Sequence, residues 1–306
     1  MTGWQAVLLK TYCRLELPAW RRLLLPLILQ EGYCGTATRT INPHRYVMEL
    51  DLSQPWERWS YFAGRYYELH TLQLLQQLLR PGDTFVDVGA NIGHLTLTAA
   101  SHVGRTGSVI SYEPNPSVFA RLKHHVRSNG LNELVAIHNL ALGAATTIRN
   151  LTVPTEGTGG ATLGKLGSEY SGAISTQYQV QVARGDDLCK DIDHPLTIKI
   201  DVEGFECAVI MGLTGTIARL LPAILVEAWP EHLANCGSSV EELFALSRDL
   251  GYNIYALRTP SRVRGLTRTS RLILERLMKP GVTLTDDVLW LHPRGIHSER
   301  VNQLIH

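Results

Sequence analysis

Downstream of residue 80 the chain alternates short apolar runs with longer amphipathic stretches. Runs of strand length fall at 84–88, 108–112, 134–138, 147–153, 177–182, 196–201, 223–227, 253–257 and 288–291. Between the first of them, apolar residues recur at helical spacing over 92–103 and 117–128. Strands that alternate with helices predict a parallel sheet covered on both faces. Runs as continuously apolar as 84–88 and 196–200 suit strands with neither face in water. Upstream, alternating positions over 46–52 predict a further strand. Leu69, Leu72, Leu75, Leu78 and Leu79 predict a helix over 66–79 that stops at Pro81-Gly82. The first 40 residues read as one or two Leu-rich helices with Trp4, Trp20 and several arginines interleaved, packed as a cap on the main domain or resting weakly on a membrane surface. The economical division is a helical appendage, 1–42, and one α/β domain, 43–306.

At 306 residues the chain can bury a large core without disulfides. Its 29 Lys and Arg against 28 Asp and Glu leave a formal charge of +1, which argues against nucleic acid as the main partner. Cys13, Cys34, Cys189, Cys207 and Cys236 are odd in number and scattered, matching neither a disulfide framework nor a zinc motif, and they point to a reducing, cytoplasmic compartment. The apolar stretch 23–29 is broken by Pro26 and falls short of the roughly 20 residues a spanning helix requires. It also lacks the charge placement and cleavage site of a secretory signal. No period of 20 to 50 residues recurs, which argues against a solenoid or propeller.

Two motifs carry candidate chemistry. In Val86-Asp87-Val88-Gly89-Ala90-Asn91-Ile92-Gly93 an apolar strand turns into a helix through two glycines. Gly89 allows close approach to bare backbone, and the following helix start presents free N–H groups. Glu113 ends the next strand, 24 residues after Gly89, where an acid in a doubly wound sheet accepts hydrogen bonds from the hydroxyls of an adenosine ribose. The turn lacks the GxGxxG spacing that a pyrophosphate requires. S-adenosylmethionine has no phosphate and needs no such fingerprint. Asp87 is placed to meet a cationic group of that cofactor, or else simply ties down the turn.

VDVGANIG, SYEPNP, HNLALG (138–143) and TIKIDVEGFE (197–206) follow one another in an order that resembles the FkbM family of S-adenosylmethionine-dependent methyltransferases, over residues 61–229. The resemblance implies a Rossmann-like class I methyltransferase fold: a seven-stranded, mostly parallel α/β sheet, its last strand antiparallel, with helices on both faces. It further implies that Gly89, Ala90, Asn91 and Gly93 surround the methionine part of the cofactor, that Glu113 holds the ribose and that Asn139 and Ala141 border the adenine. Glu68, in Arg65-Tyr66-Tyr67-Glu68, matches a family acid that approaches the cofactor. One departure is local: the family's Leu-Asp pair is replaced here by Gly185-Asp186.

The strand at 196–201 delivers Lys199, Asp201 and Glu203 in alternation toward the carboxyl ends of the sheet, where ligands of such folds lie. An aliphatic hydroxyl becomes a methyl acceptor once a base removes its proton. Asp201 is the preferred base, with Lys199 and then His94 behind it, and Glu203 and Glu227 are candidates for binding acceptor hydroxyls. Asp201, Glu203 and Glu227 offer oxygens suited to Mg²⁺, but no compact ligand motif accompanies them and no metal is assigned. The Gly-rich segment 155–172 has the composition of a lid. These features predict an O-methyltransferase for a hydroxyl of a sugar, glycan or secondary metabolite. The alternatives are a non-enzymatic cofactor-binding protein, against which the Lys199, Asp201 and Glu203 cluster counts, and an NAD-dependent oxidoreductase, against which the glycine spacing counts. A nucleic-acid N-methyltransferase would carry an Asp or Asn followed by two prolines near 197–204, and neither proline is there.

Overall fold

The computed structural model describes residues 34–154, 158–168, 175–258, 261–264, 267–270, 272–279 and 287–305. The helices expected before residue 34 lie outside that range. The chain forms two compact units, Met1–Gln73 with Thr259–Leu272, and Leu74–Arg258 with Ile273–His306. In the first, β1 (Thr36–Ile41) pairs antiparallel with β2 (Tyr46–Asp51). The helical reading is therefore corrected over 36–41, and the boundary expected after residue 42 falls inside a hairpin. Helix α1 (Pro55–Ala63) starts with Pro55 in its first turn and stops at Gly64, whose left-handed backbone (φ 65°) ends the helical ladder. Helix α2 (Leu69–Leu78) begins at the end of this unit.

The second unit carries the predicted sheet. In chain order it contains β3 (Thr84–Val88), α3 (His94–Val103), β4 (Ser108–Tyr112), α4 (Pro116–Ser128) and β5 (Val135–His138). Then come β6 (Ala141–Gly143), β7 (Thr147–Pro154), β8 (Ser175–Arg184), α5 (Gly185–Leu188) and β9 (Leu196–Ile200). Two short helices, α6 (Glu206–Gly212) and α7 (Thr214–Leu220), lead to β10 (Ala223–Glu227). They are followed by α8 (Pro230–Asn235), α9 (Val240–Asp249) and β11 (Asn253–Arg258). The hairpin β12 (Ser261–Arg264) and β13 (Thr267–Ser270) belongs to the first unit. The chain closes with β14 (Ile273–Leu277), β15 (Asp287–Leu291) and α10 (Ile296–Val301) in the second unit.

Eight strands line up as β14-β11-β15-β10-β9-β3-β4-β5. The six from β5 to β10 and β11 run parallel, while β15 and β14 are antiparallel to their neighbours. The class I reading is correct, and the count rises from seven to eight because β14 adds an edge strand beside β11. A separate three-stranded sheet, β6-β8-β7, follows β5. As the unbroken apolar runs required, β3, β9 and β15 are buried along their whole length. Val86, Val88, Ile198, Ile200, Ile224, Val226 and Trp290 share one core. At the family departure, a Cβ on Gly185 would lie 2.5 Å from Leu213 Cδ2, so Leu213 already occupies the space a leucine there would need. Among the described residues no helix is long and apolar enough to cross a membrane.

Candidate active site

The strand order reverses at β3, whose neighbours are β4 on one side and β9 on the other. A crevice beyond the carboxyl ends of these strands is where such sheets bind ligands. The chain leaves β3 through Gly89 (φ 83°), Asn91 (φ 50°) and Gly93 (φ 96°), three left-handed residues in five positions. Gly89 has no alternative, because a Cβ there would lie 1.8 Å from the carbonyl oxygen of Asp201. Asp201 N in turn donates to Val88 O at 3.0 Å, and the amides of Gly89 and Ala90 both donate to Tyr112 O. The exits of β3, β4 and β9 are thereby sewn together by backbone alone.

Glu113 is buried at the exit of β4. Its Oε2 accepts from Asn91 N at 2.9 Å and its Oε1 from Asn115 N at 2.8 Å. Burial pushes its carboxyl up to about 7 against the pull of those two amides, with smaller upward contributions from the charges of Asp87 and Asp201. Each oxygen keeps a second lone pair for another donor. Asn139 Nδ2 donates to the carbonyls of Glu113 (2.8 Å) and Pro114 (3.1 Å), clamping the same corner, and Ala141 is buried at the start of β6.

Asp87 is placed differently from the cationic contact considered for it. Ser111, Asp87, Lys199 and Leu225 are register partners across β4, β3, β9 and β10. Asp87 Oδ2 accepts from Thr96 Oγ1 at 2.6 Å, and Thr96 Oγ1 shares a further hydrogen bond with Ser111 Oγ. Burial raises its carboxyl to about 6 despite the Thr96 hydroxyl and the Lys199 charge. It ties α3 onto the sheet beneath the turn.

Lys199 is buried in β9, with Nζ 3.2 Å from Asp201 Oδ2 and 3.3 Å from Asp287 Oδ1. Flanked by two carboxylates, it is an ion-pair partner of both Asp201 and Asp287. Asp201 is the solvent-facing member of the pair. Glu203 does not continue the alternation, because β9 ends at Ile200 and Glu203 itself is left-handed (φ 52°) ahead of Gly204 (φ 103°). The turn sends its carboxylate to His232, with Oε2 2.8 Å from Nδ1. Glu227, at the end of β10, reaches the same nitrogen at 3.6 Å. For His232, burial lowers the pKa, but the hydrogen bonds and charges of Glu203 and Glu227 prevail and raise it to about 11. His94 lies buried in the first turn of α3, where burial first, then His125 and Arg121, lower it to about 3. That keeps it neutral and a poor proton acceptor.

Sequence reasoning missed His232 and Glu206. Glu206 Oε1 accepts from the amides of Val202 and Gly204, both at 3.1 Å, and so holds the turn that aims Glu203. The motif TIKIDVEGFE contained Glu206, but its inward direction is set by the turn and not by spacing. His232 sits in α8, and its role comes from Trp229, which stacks on it at 5.5 Å, and from two acids, one in the turn after β9 and one at the end of β10. Of the Gly-rich segment, the described part docks on this rim: Thr162 Oγ1 donates to Glu203 O at 2.8 Å and Lys165 N to Asn235 O at 3.1 Å. A Cβ on Gly159 would lie 3.6 Å from Asn91 Nδ2. Glu68 belongs to the first unit, where Thr71 Oγ1 donates to it at 3.2 Å, and its assignment to the cofactor rests on the resemblance alone.

The profile of the methyltransferase FkbM domain matches residues 87–254. The chain belongs to that family. Within it, S-adenosylmethionine is the cofactor. This FkbM-family chain is also similar to the hexuronic acid methyltransferase AglP of Haloferax volcanii, 28% identical over 153 residues, which is 49% of this chain and 58% of that protein. It thus spans little more than half the length of that curated relative. Among solved structures it is similar to an FkbM methyltransferase from Methylobacillus flagellatus (TM-score 0.41, 18% identity, 71% of this chain and 49% of that one). It is similar as well to an S-adenosylmethionine-dependent O-methyltransferase from Thermotoga maritima (TM-score 0.39, 12% identity, 74% and 65%).

Proposed function

We propose that this chain methylates a hydroxyl oxygen of a sugar or similar polyhydroxylated acceptor, using S-adenosylmethionine. The observation that carries the reading is the acidic rim at the exits of β4, β9 and β10, with Glu113, Asp201, Glu203 and Glu227 around a backbone cradle at Gly89. The acids nearest the cradle, Glu113 and Asp201, fit a cofactor with a sulfonium and an ammonium group and suit a pyrophosphate poorly, while Glu203 and Glu227 lie on the acceptor side. The cofactor supplies an electrophilic methyl group with a good leaving group already attached.

The chain's own residues then have separate tasks. The bare backbone of Gly89, Ala90, Asn91 and Gly93 accommodates the methionine portion. Glu113 accepts hydrogen bonds from ribose hydroxyls with the lone pairs that Asn91 and Asn115 leave, and Asn139 and Ala141 border the adenine. Asp201 receives the proton of the acceptor hydroxyl, and Lys199 positions it. Glu203 and Glu227 hold further acceptor hydroxyls, and Trp229, more than one-third exposed beside them, offers an aromatic face to a sugar ring. The similarity to the Haloferax hexuronic acid methyltransferase supports a carbohydrate acceptor. The free thiols of Cys34, Cys189, Cys207 and Cys236 support a cytoplasmic setting.

Calorimetric titration with S-adenosylmethionine, its demethylated product and NAD tests the cofactor half. Mass-spectrometric screening of uronic acids, neutral sugars and glycans tests the acceptor half. A mass gain of one methyl on a sugar hydroxyl is expected. Tight NAD binding with no heat from S-adenosylmethionine would overturn the assignment.

A further inference from the structure

Glu203, Glu227 and His232 place one imidazole nitrogen and two carboxylate oxygens within 4.8 Å of one another. His232 Nδ1 is 2.8 Å from one oxygen and 3.6 Å from the other. Three ligands of a four-coordinate transition cation, each about 2.0–2.2 Å from it, stand roughly 3.3 Å apart. The two edges that meet at His232 bracket that value, and the third lies within 4.8 Å. Glu227 Oε2 is shut off from solvent and makes no hydrogen bond of normal length, its nearest cationic neighbour, His232 Nδ1, lying 3.6 Å away.

The three residues are held in place by the fold. Glu227 ends a buried strand, and Glu203 is aimed by a turn whose amides are bound to Glu206. A Cβ on Gly204 would lie 2.0 Å from His232 O, so the turn and α8 meet at backbone contact. All three side chains keep some exposure, 22%, 20% and 14%, which leaves room for ligands from outside. A mixed nitrogen and oxygen set favours Mn²⁺, Co²⁺ or Zn²⁺ over Ca²⁺ or Mg²⁺, which prefer oxygen alone.

We propose that Glu203, Glu227 and His232 bind a divalent transition cation, which displaces to solvent the Nδ1 proton that His232 shares with the two carboxylates and whose one remaining position takes an oxygen of the acceptor. The ion-binding half stands by itself, while the acceptor half rests on the methyltransferase reading. In this arrangement Glu203 and Glu227 hold the acceptor through the ion, which also makes its hydroxyl easier to deprotonate toward Asp201.

The test uses the full chain after chelator treatment, titrated with Mn²⁺ by electron paramagnetic resonance and with Co²⁺ by visible absorption. One site with a Kd below about 100 µM is expected. Glu227→Gln and His232→Ala should each weaken it at least about 30-fold. Binding of the demethylated cofactor should be unchanged in both, which shows that they fold. Equal affinity in wild type and His232→Ala, or no site tighter than about 1 mM, would overturn the proposal. Cofactor binding without metal binding sinks this inference alone. Metal binding without cofactor binding sinks the methyltransferase reading and leaves the ion site standing.

Discussion

Glu113 combines burial, two backbone contacts and a raised pKa, and its substitution separates binding from stability. Glu113→Ala removes the ribose partner and should weaken S-adenosylmethionine binding by about 1–3 kcal/mol in a calorimetric titration. In the free protein its carboxyl rises from 4.5 to about 7, with burial the main cause. A raised folded pKa means the folded state holds the proton more tightly. The stability it contributes is therefore full below pH 4.5 and is lost as the pH rises through 7. Relative to Glu113→Gln, which cannot ionise, the wild type should lose on the order of 3 kcal/mol of unfolding free energy between pH 4.5 and 8, read by urea denaturation. A constant difference across that range would show that Glu113 is not desolvated as described. Asp201 belongs to the same scale. Asp201→Asn leaves the Lys199–Asp287 pair in place and removes the base, so turnover should fall at least about 100-fold with cofactor affinity retained. Both acids were legible in the sequence because each ends an apolar strand of a recognisable βα unit. His232 was not, since nothing near it in sequence distinguishes it from a surface histidine of a short helix.

At the scale of elements, the β3-to-α3 turn is legible because its geometry demands a residue without a side chain. Gly89→Ala must place a methyl against the Asp201 carbonyl while holding φ at 83°. A loss of at least about 3 kcal/mol is expected in chemical denaturation, together with weakened cofactor binding. Wild-type stability in that variant would mean the β3 and β9 exits are not in backbone contact. Strand β14 and the turn at Glu203 escaped the sequence pattern for different reasons. The segment that forms β14 is rich in Leu, Glu and Arg, which favour helix in isolation, and pairing with β11 overrides that preference. Glu203 was expected on the same row as Lys199 and Asp201, but alternation holds only inside a strand. The strand stops at Ile200, and a left-handed turn redirects the side chain.

Across the whole sheet-bearing unit, distant chain segments close the fold. Arg300, in α10, donates to Leu78 O at the end of α2, 222 residues away, and to Asp83 at the entry to β3, 217 residues away. Asp83 is buried there, so Arg300→Ala strands a carboxylate and should cost about 3 kcal/mol in urea denaturation. No measurable loss would show that α10 is not anchored through this pair. The sequence by itself determined the α/β class, the parallel centre of the sheet, the glycine turn and the acid beside it. These follow from local periodicity and from backbone geometry that few residues can satisfy. Only the tertiary structure decided that Lys199 is paired, that Asp87 ties a helix to the sheet and that His232 joins Glu203 and Glu227. Those arrangements depend on which strands become neighbours and how turns aim their side chains, and spacing along a single chain carries no information about either.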